Sequence, residues 1–336
     1  MKIVYMGTPA FAVPPLRRLL DSGDHQVTAV VTQPDRPSGR GLKVEYSAVK
    51  ELALERNLTV LQPEKIKGMA YDKVLASFSP DVIVVVAYGR ILPKEILALP
   101  RFGCLNLHAS ILPKYRGAAP IQWAVAKGET GTGVTLMRMD EGLDTGDIVD
   151  LEKVEIFGDD DTRSVGNMLS VIGGEMLVRN LAKIEAAGAV ESTPQDDASA
   201  TLAPILKKAD GLIDWTRPAE EIVWLTRGMQ PWPTAFSFLH GGAWKFLAVE
   251  PLAAEDGGTL PADTRGDGKD PGKVTAFVKG RGFCVRTGDG DLLVTRVQPA
   301  GKRAMDAVDA LNGKLVRPGD EFLSDPAFLA GTAEVE

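Results

Sequence analysis

Asp81-Val82-Ile83-Val84-Val85-Val86-Ala87-Tyr88 is the stretch that decides the fold. Its run of β-branched residues leaves no polar face, as a strand buried on both sides requires; a strand with one wet face would alternate instead. Working outward, Lys2–Met6 and Gln26–Thr32 are further apolar strands, Thr59–Leu61 is a short one, and Gly103–Leu107 and Gly133–Met139 follow downstream. Between them, Phe11–Asp21 puts Val13, Leu16, Leu19 and Leu20 on one helical face, and Ser47–Arg56 and Pro120–Ala126 also read as helices. This alternation predicts an α/β fold with a doubly wound, mostly parallel, Rossmann-like sheet whose ligands bind at the carboxyl ends of the strands. Gly7, Ala87–Gly89 and His108 fall just past predicted strand ends.

A long helix over Asp161–Ile184, striped by Val165, Met168, Leu169, Ile172, Met176, Leu181 and Ile184, closes a first domain over residues 1–186. Residues 187–206 are polar and irregular and read as a linker. Short β-rich pieces follow at Ile213–Trp215, Thr234–Leu239, Ala243–Val249, Gly272–Val278, Gly282–Thr287 and Asp291–Gln298, with a short helix at Glu220–Gly228. They predict a small OB-like β-barrel over 207–320, with a tail at 321–336. Ala254–Pro271 is rich in Gly, Asp and Pro and reads as a surface loop.

The 336 residues, 44% hydrophobic, suffice for two domains with real cores. No stretch is long enough to span a membrane and the start is not a signal peptide, so the expected location is the cytoplasm. Cys104 and Cys284 lie far apart and read as core thiols; with three histidines in all and no ligand spacing, no metal site is expected. The net charge of −7 argues against wholesale wrapping by nucleic acid. From Lys273 to Arg317, however, nine basic residues (Arg281 and Arg286 among them) face four acidic ones, a local surplus that suits a polyanion held at one face. On the count alone, a solvated surface with chance charge is the simpler account.

Chemistry gathers at Asn106-Leu107-His108-Ala109-Ser110-Ile111-Leu112-Pro113, at Gly117, and at Glu141-Gly142-Leu143-Asp144-Thr145-Gly146. A histidine ending a buried strand is, alone, more often a satisfied core residue than a catalyst. Asn106 shifts that balance, because a period of two puts both side chains on one side of the strand. An amide and an imidazole side by side at a strand end can hold a developing negative charge and move a proton. Asp144 is either a turn aspartate among glycines or the acid that orients His108. Ser110 lacks a nucleophile elbow and suits a binding loop. Gly7-Thr8-Pro9 lacks the G-x-G-x-x-G pattern, which leaves a dehydrogenase a weak alternative. Pro34–Lys43, with Arg36, Arg40 and Lys43, is either a mobile loop or a finger that contacts phosphate and base.

At these residues the chain resembles the methionyl-tRNA formyltransferase family, within the folate-dependent formyltransferases. The likeness runs through Met6–Ala12, Gln33–Lys43, Ala87–Gly89, Asn106–Gln122 and Asp140–Asp147, and Ile111 stands where the family's signature has leucine. The resemblance implies the formyltransferase fold, 10-formyltetrahydrofolate as donor, and the acceptor stem of initiator methionyl-tRNA as partner; apart from the resemblance, the protein is expected to act as a monomer. It makes Asn106, His108 and Asp144 the catalytic trio, with Asn106 and His108 donating to the oxyanion. It places Ser110, Ile111, Leu112, Pro113, Val86, Tyr88, Gly89, Ile91, Leu92 and Asp140 around the folate. Arg36, Arg40, Lys43, Arg281 and Arg286 are the expected tRNA contacts. Two other readings compete: a formyltransferase for a small amine such as an amino sugar nucleotide, and an RNA-binding module with a defunct sheet domain.

Overall fold

Aliphatic strands laid side by side make the floor on which everything else stands. The structure, a computed structural model, describes residues 1–38, 43–67, 71–252 and 269–325. In chain order the elements are β1 (Lys2–Gly7), α1 (Val13–Ser22), β2 (Gln26–Val31), the antiparallel pair β3 (Arg36–Ser38) and β4 (Lys43–Glu45), α2 (Ala48–Glu55), β5 (Val60–Leu61), α3 (Tyr71–Ala76) and β6 (Val82–Val86). There follow α4 (Lys94–Leu97), β7 (Cys104–His108), β8 (Arg116–Gly117), α5 (Pro120–Ala126), β9 (Gly131–Arg138), β10 (Ile148–Glu155), α6 (Thr162–Ala187) and β11 (Leu202–Ala203). Two compact units emerge, one of residues 1–121, 130–156 and 164–205, the other of 122–129, 157–163 and the chain from Leu206 on.

In the first unit a seven-stranded sheet runs β10-β9-β7-β6-β1-β2-β5. β6 pairs in parallel with β1 and β7, and every one of its residues is buried, as its sequence demands. β9 and β10 are antiparallel to their neighbours. β10 is absent from the sequence reading, and its composition explains why. It is an edge strand with Asp150, Glu152, Lys153 and Glu155, and it offers no apolar run. α6 lies close on β7, where a Cβ at Gly173 would come within 2.5 Å of Leu107.

Of residues 187–206, expected as a linker, 187–205 instead belong to the first unit and are bonded along its surface. Ile148 and Thr193 exchange both backbone hydrogen bonds at 2.8 Å, and β11 pairs in parallel with β8. Polar residues make this strap because its partners are backbone groups, which reward hydrogen bonding rather than burial of apolar area.

The second unit contains α7 (Ala219–Gly228), β12 (Ala235–Leu239), β13 (Gly242–Pro251), β14 (Val274–Val278), β15 (Gly282–Arg286), β16 (Asp291–Gln298), β17 (Met305–Asp306) and α8 (Ala307–Asn312). Its sheet runs β12-β13-β16-β15-β14, with β17 against β16. Leu323 bridges to Phe238 on the β12 edge and Glu321 bridges to Lys273 beside β14, so a short segment joins the two open edges. The expected tail at 321–336 is corrected accordingly: its first residues close the barrel, and those from 326 on lie outside the described residues, as does most of the Ala254–Pro271 loop. Ile213–Trp215 is not a strand; it meets β12 through one bridge at Leu212 and sends Trp215 into the core. Phe322 is 1% exposed, with ring centroids of Trp215, Trp244, Phe246 and Phe283 at 5.9, 5.7, 5.1 and 6.1 Å.

Phe322→Ala removes the ring that four aromatics share. Loss of about 3–5 kcal/mol is expected, read as a lower urea midpoint followed by tryptophan fluorescence. An unchanged midpoint would show that the closing segment carries no weight.

Candidate active site

Three short segments of the first unit meet at the carboxyl end of its parallel strands. β7 ends at His108, and its alternation keeps Asn106 beside it. The imidazole is 6% exposed, and its Nε2 lies 2.9 Å from the carbonyl oxygen of Tyr115. A carbonyl only accepts, so Nε2 carries the hydrogen and Nδ1 is left as the free edge of the ring. That edge faces Asp144 Oδ2 at 3.6 Å. Asn106 Nδ2 approaches the other oxygen, Oδ1, at 3.4 Å. The Gly117 N–H donates to Asp144 Oδ2 at 2.8 Å, the shortest contact this carboxylate makes here. The trio expected from sequence therefore converges, with the aspartate between the amide and the imidazole.

Asp144 sits at φ 55° in a loop that braces itself. Asp140 accepts from the Gly142 N–H at 2.9 Å and from the Thr145 hydroxyl at 2.7 Å. Its carboxylate is thus engaged within the loop, where the sequence reading has it beside a ligand. Ser110 is fully buried and donates to the Lys114 carbonyl at 2.6 Å, which makes it a brace rather than a wall of a pocket. Thr135 donates to the Ser110 carbonyl at 2.6 Å, the Leu112 N–H donates to Thr135 at 3.2 Å, and the Leu112–Pro113 bond is cis. Ile111 and Pro113 are half-buried on the same loop.

The Val86–Leu92 corner needs correction in detail. Val86 is fully buried, and the Tyr88 and Leu92 side chains pack with Val4, Met6 and Ile83, so none of the three presents a side chain to a ligand. Burial pushes the Tyr88 phenol up to about 12. What remains accessible is Gly89, at φ 79°, and Ile91, 80% exposed.

Sequence reasoning singled out Gly117 without giving it a role, and it missed how the two residues before it help fix the trio. Tyr115, Arg116 and Gly117 are consecutive, and each grips something different: Tyr115 the imidazole, Gly117 the carboxylate, Arg116 the side chain of Gln195. The strap holds this tripeptide in turn. Thr201 accepts the Tyr115 N–H on its hydroxyl and the Arg116 N–H on its carbonyl, both at 2.9 Å. At Gly117, φ is 128° and a Cβ would lie 2.5 Å from the Ala203 carbonyl oxygen, so only glycine fits against β11.

The expected nucleic-acid contacts fare unevenly. Arg40 lies outside the described residues, Lys43 is placed only as backbone of β4, and Arg36 is exposed. The feet of the β3–β4 pair are held by Lys50, which bonds Asp35, reaches Gln62 at 2.8 Å and lies 3.9 Å over the Tyr46 ring. That hydrogen bond from Lys50 holds the Asp35 carboxyl below its ordinary range, with Gln62 adding to it. Arg281 is engaged with Glu250 at 2.6 Å. Arg286 is corrected outright: its side chain is 9% exposed and bonded at 2.7 Å to Asp291, itself 1% exposed, leaving nothing for a phosphate. Lys279, Lys302, Arg303, Lys314 and Arg317 are exposed.

Cys104 and Cys284 are buried free thiols, and burial pushes the Cys104 thiol up to about 12. Among the described residues no cluster of His, Cys, Asp and Glu could hold a metal ion, and no helix is long and apolar enough to cross a membrane.

Two stretches of the chain match known families. Residues 1–181 match the family described as formyl transferase, and residues 205–315 match the formyl transferase C-terminal domain. A methionyl-tRNA formyltransferase of Acidobacterium capsulatum is 49% identical, covering 95% of this chain and 98% of that one. One of Agathobacter rectalis is 44% identical, covering 96% and 99%. Among solved structures, HypX from Aquifex aeolicus in complex with tetrahydrofolic acid superposes with a TM-score of 0.63 at 17% identity, over 97% of this chain and 51% of that one, a likeness of fold.

The lowered Asp35 carboxyl has a consequence for stability. A carboxyl depressed on folding stabilises above its unfolded value, about 3.9, and loses that contribution as pH falls through the folded value. Asp35→Asn is therefore expected to be less stable than the parent at pH 7, with the gap closing below about pH 4. A gap that widens on acidification would reverse the assignment.

Proposed function

The chain belongs to the formyl transferase family, among the methionyl-tRNA formyltransferases, and from that premise we propose that it transfers the formyl group of 10-formyltetrahydrofolate to the α-amine of methionine carried by initiator tRNA. The observation that carries the reading is the meeting of Asn106, His108 and Asp144 on one side of the sheet end, with the imidazole and the carboxylate held by backbone that the strap fixes. The donor, when bound, supplies a formyl carbon already activated on nitrogen. A flat heterocycle with amide-like edges suits the corner at Gly89, where backbone is open and Ile91 is 80% exposed. An acceptor confined to small amines is not favoured, since the relatives that match along almost the whole chain bear the tRNA enzyme's name.

The residues divide the work as follows. Asn106 donates to the formyl oxygen as it gains negative charge, because one hydrogen of its amide is enough for Asp144. His108 is less suited to that role than the sequence suggests, since Nε2 is committed to the Tyr115 carbonyl. Its Nδ1 and the Asp144 carboxylate instead form one proton-holding pair. As the amine nitrogen bonds to the formyl carbon, the pair takes the proton the amine sheds. As the bond to the donor nitrogen breaks, a proton returns to that nitrogen. Binding both substrates in one orientation supplies much of the remaining acceleration. On this reading the protein works as a monomer in the cytoplasm, and its exposed cations meet tRNA phosphates.

Incubating the protein with 10-formyltetrahydrofolate and charged initiator tRNA is expected to yield formyl-methionyl-tRNA. His108→Asn and Asp144→Asn should each lower kcat by about 10²-fold or more. If both turn over within twofold of the parent, the roles are wrong. Lys302 and Arg303, in the turn after β16, are expected to contribute through charge. Neutralising both should raise the KM for tRNA and flatten its dependence on salt by about one to two counterions. A change in KM with the salt slope untouched would mean that they contact no phosphate.

A further inference from the structure

Gln195 touches no reacting atom in the scheme above, yet it holds the backbone that presents Asp144. Its Nε2 donates to the carbonyl oxygen of Asp144 at 2.9 Å and to that of Gly146 at 2.7 Å. One amide nitrogen thus spends both hydrogens across the turn in which Asp144 adopts its left-handed φ of 55°. A non-glycine residue stays in that region only where its surroundings over-determine it. Here they do so from two sides, the Gly117 N–H on the carboxylate and the Gln195 amide on the main chain.

The direction of the Gln195 amide is itself determined. Arg116 donates to its Oε1 from Nε at 3.1 Å and from Nη2 at 2.8 Å, and Nη2 also reaches Asp197 Oδ1 at 2.7 Å. A guanidinium offers only donors, so the oxygen must face it and the nitrogen must face the two carbonyls. The Arg116 side chain is 8% exposed and Asp197 is 80% exposed. A continuous line of contacts therefore runs from the surface at Asp197 through Arg116 and Gln195 to Asp144, and from there to His108.

We infer that Gln195 is a positioning residue for formyl transfer and that Arg116, steadied by Asp197, fixes the direction of its amide. The inference rests on the formyl-transfer reading. The geometry of the trio explains the need for such support. Asp144 meets Nδ1 at 3.6 Å and the Asn106 amide at 3.4 Å, both at the outer limit of useful contact. A small rotation of the 144–146 turn therefore breaks both contacts at once. Nothing in the carboxylate's own rotamer can compensate, because Oδ2 is tied to Gly117.

Gln195→Glu tests this with little change in size. The substituted side chain keeps an oxygen for Arg116, loses the donor, and turns a second oxygen toward two carbonyls. Steady-state kinetics are expected to show kcat reduced about 10–100-fold, the KM for each substrate within about threefold of the parent, and a displaced pH profile of kcat. Gln195 is half-buried and Asp197 is exposed, so Asp197→Asn provides a second variant on the surface. Its kcat should fall in the same sense by about two- to fivefold. Parental kcat and pH profile in both variants would overturn the inference, as would a raised KM at unchanged kcat, which marks a substrate contact. Should Gln195→Glu fail to melt cooperatively, the Asp197→Asn profile decides alone. An active parent with unaffected variants refutes only the positioning role, whereas a parent that makes no formyl-methionyl-tRNA refutes the function itself.

Discussion

The N–H of Gly117 donating to the Asp144 carboxylate is the constraint on which the rest of the site depends. It converts a turn aspartate, one of many such residues in any chain, into a group at a fixed place beside an imidazole and an amide. The bond exists only because Gly117 can lie flat against Ala203, at a φ and a separation that exclude a side chain. The neighbours Tyr115 and Arg116 are set by the same pairing with the strap, so one strip of backbone orients the imidazole tautomer, the carboxylate and the glutamine together. A charge-assisted hydrogen bond of this kind is short and strong, and it places Asp144 more tightly than its longer contacts to His108 and Asn106 could.

How much of this was legible in the sequence depends on which force leaves a pattern. Burial leaves one: the unbroken β-branched run of β6 and the striped α6 announced the parallel sheet, and the two-residue spacing announced that Asn106 and His108 share a side. Hydrogen bonding to backbone leaves almost none. Ser192, Thr193, Gln195 and Thr201 have the composition of a free linker, yet they bond to residues 147, 148, 144 and 146, and 115. That Asp144 approaches His108 is a fact of loop geometry, invisible at a separation of thirty-six positions without a partner's position to measure against.

Charge counting misplaced Arg286 for a related reason. A surplus of cations along Lys273–Arg317 says nothing about which of them face water. Arg286 is consumed by Asp291 inside the barrel, where Thr275 also donates to the same carboxylate at 3.1 Å. Removing one member of such a pair strands the other charge in a poor solvent, so a neutralisation experiment there would report on folding rather than on binding. Phe322 escaped notice because one aromatic beyond Gly319-Asp320 makes no periodic pattern, although it occupies the centre of the second core.

The closing segment Glu321–Leu323 has a consequence for biosynthesis. Strands β12 and β14 are joined at their outer edges by residues that leave the ribosome after every strand of that sheet. While translation of the intervening stretch proceeds, both edges expose unpaired backbone donors and acceptors, a state open to mispairing with other nascent chains. The first unit faces no such wait, since its strap at 192–203 emerges directly after α6. The active-site half can thus mature on the polysome well ahead of its companion, which makes the interval before Leu323 emerges the time at which a holdase would matter most.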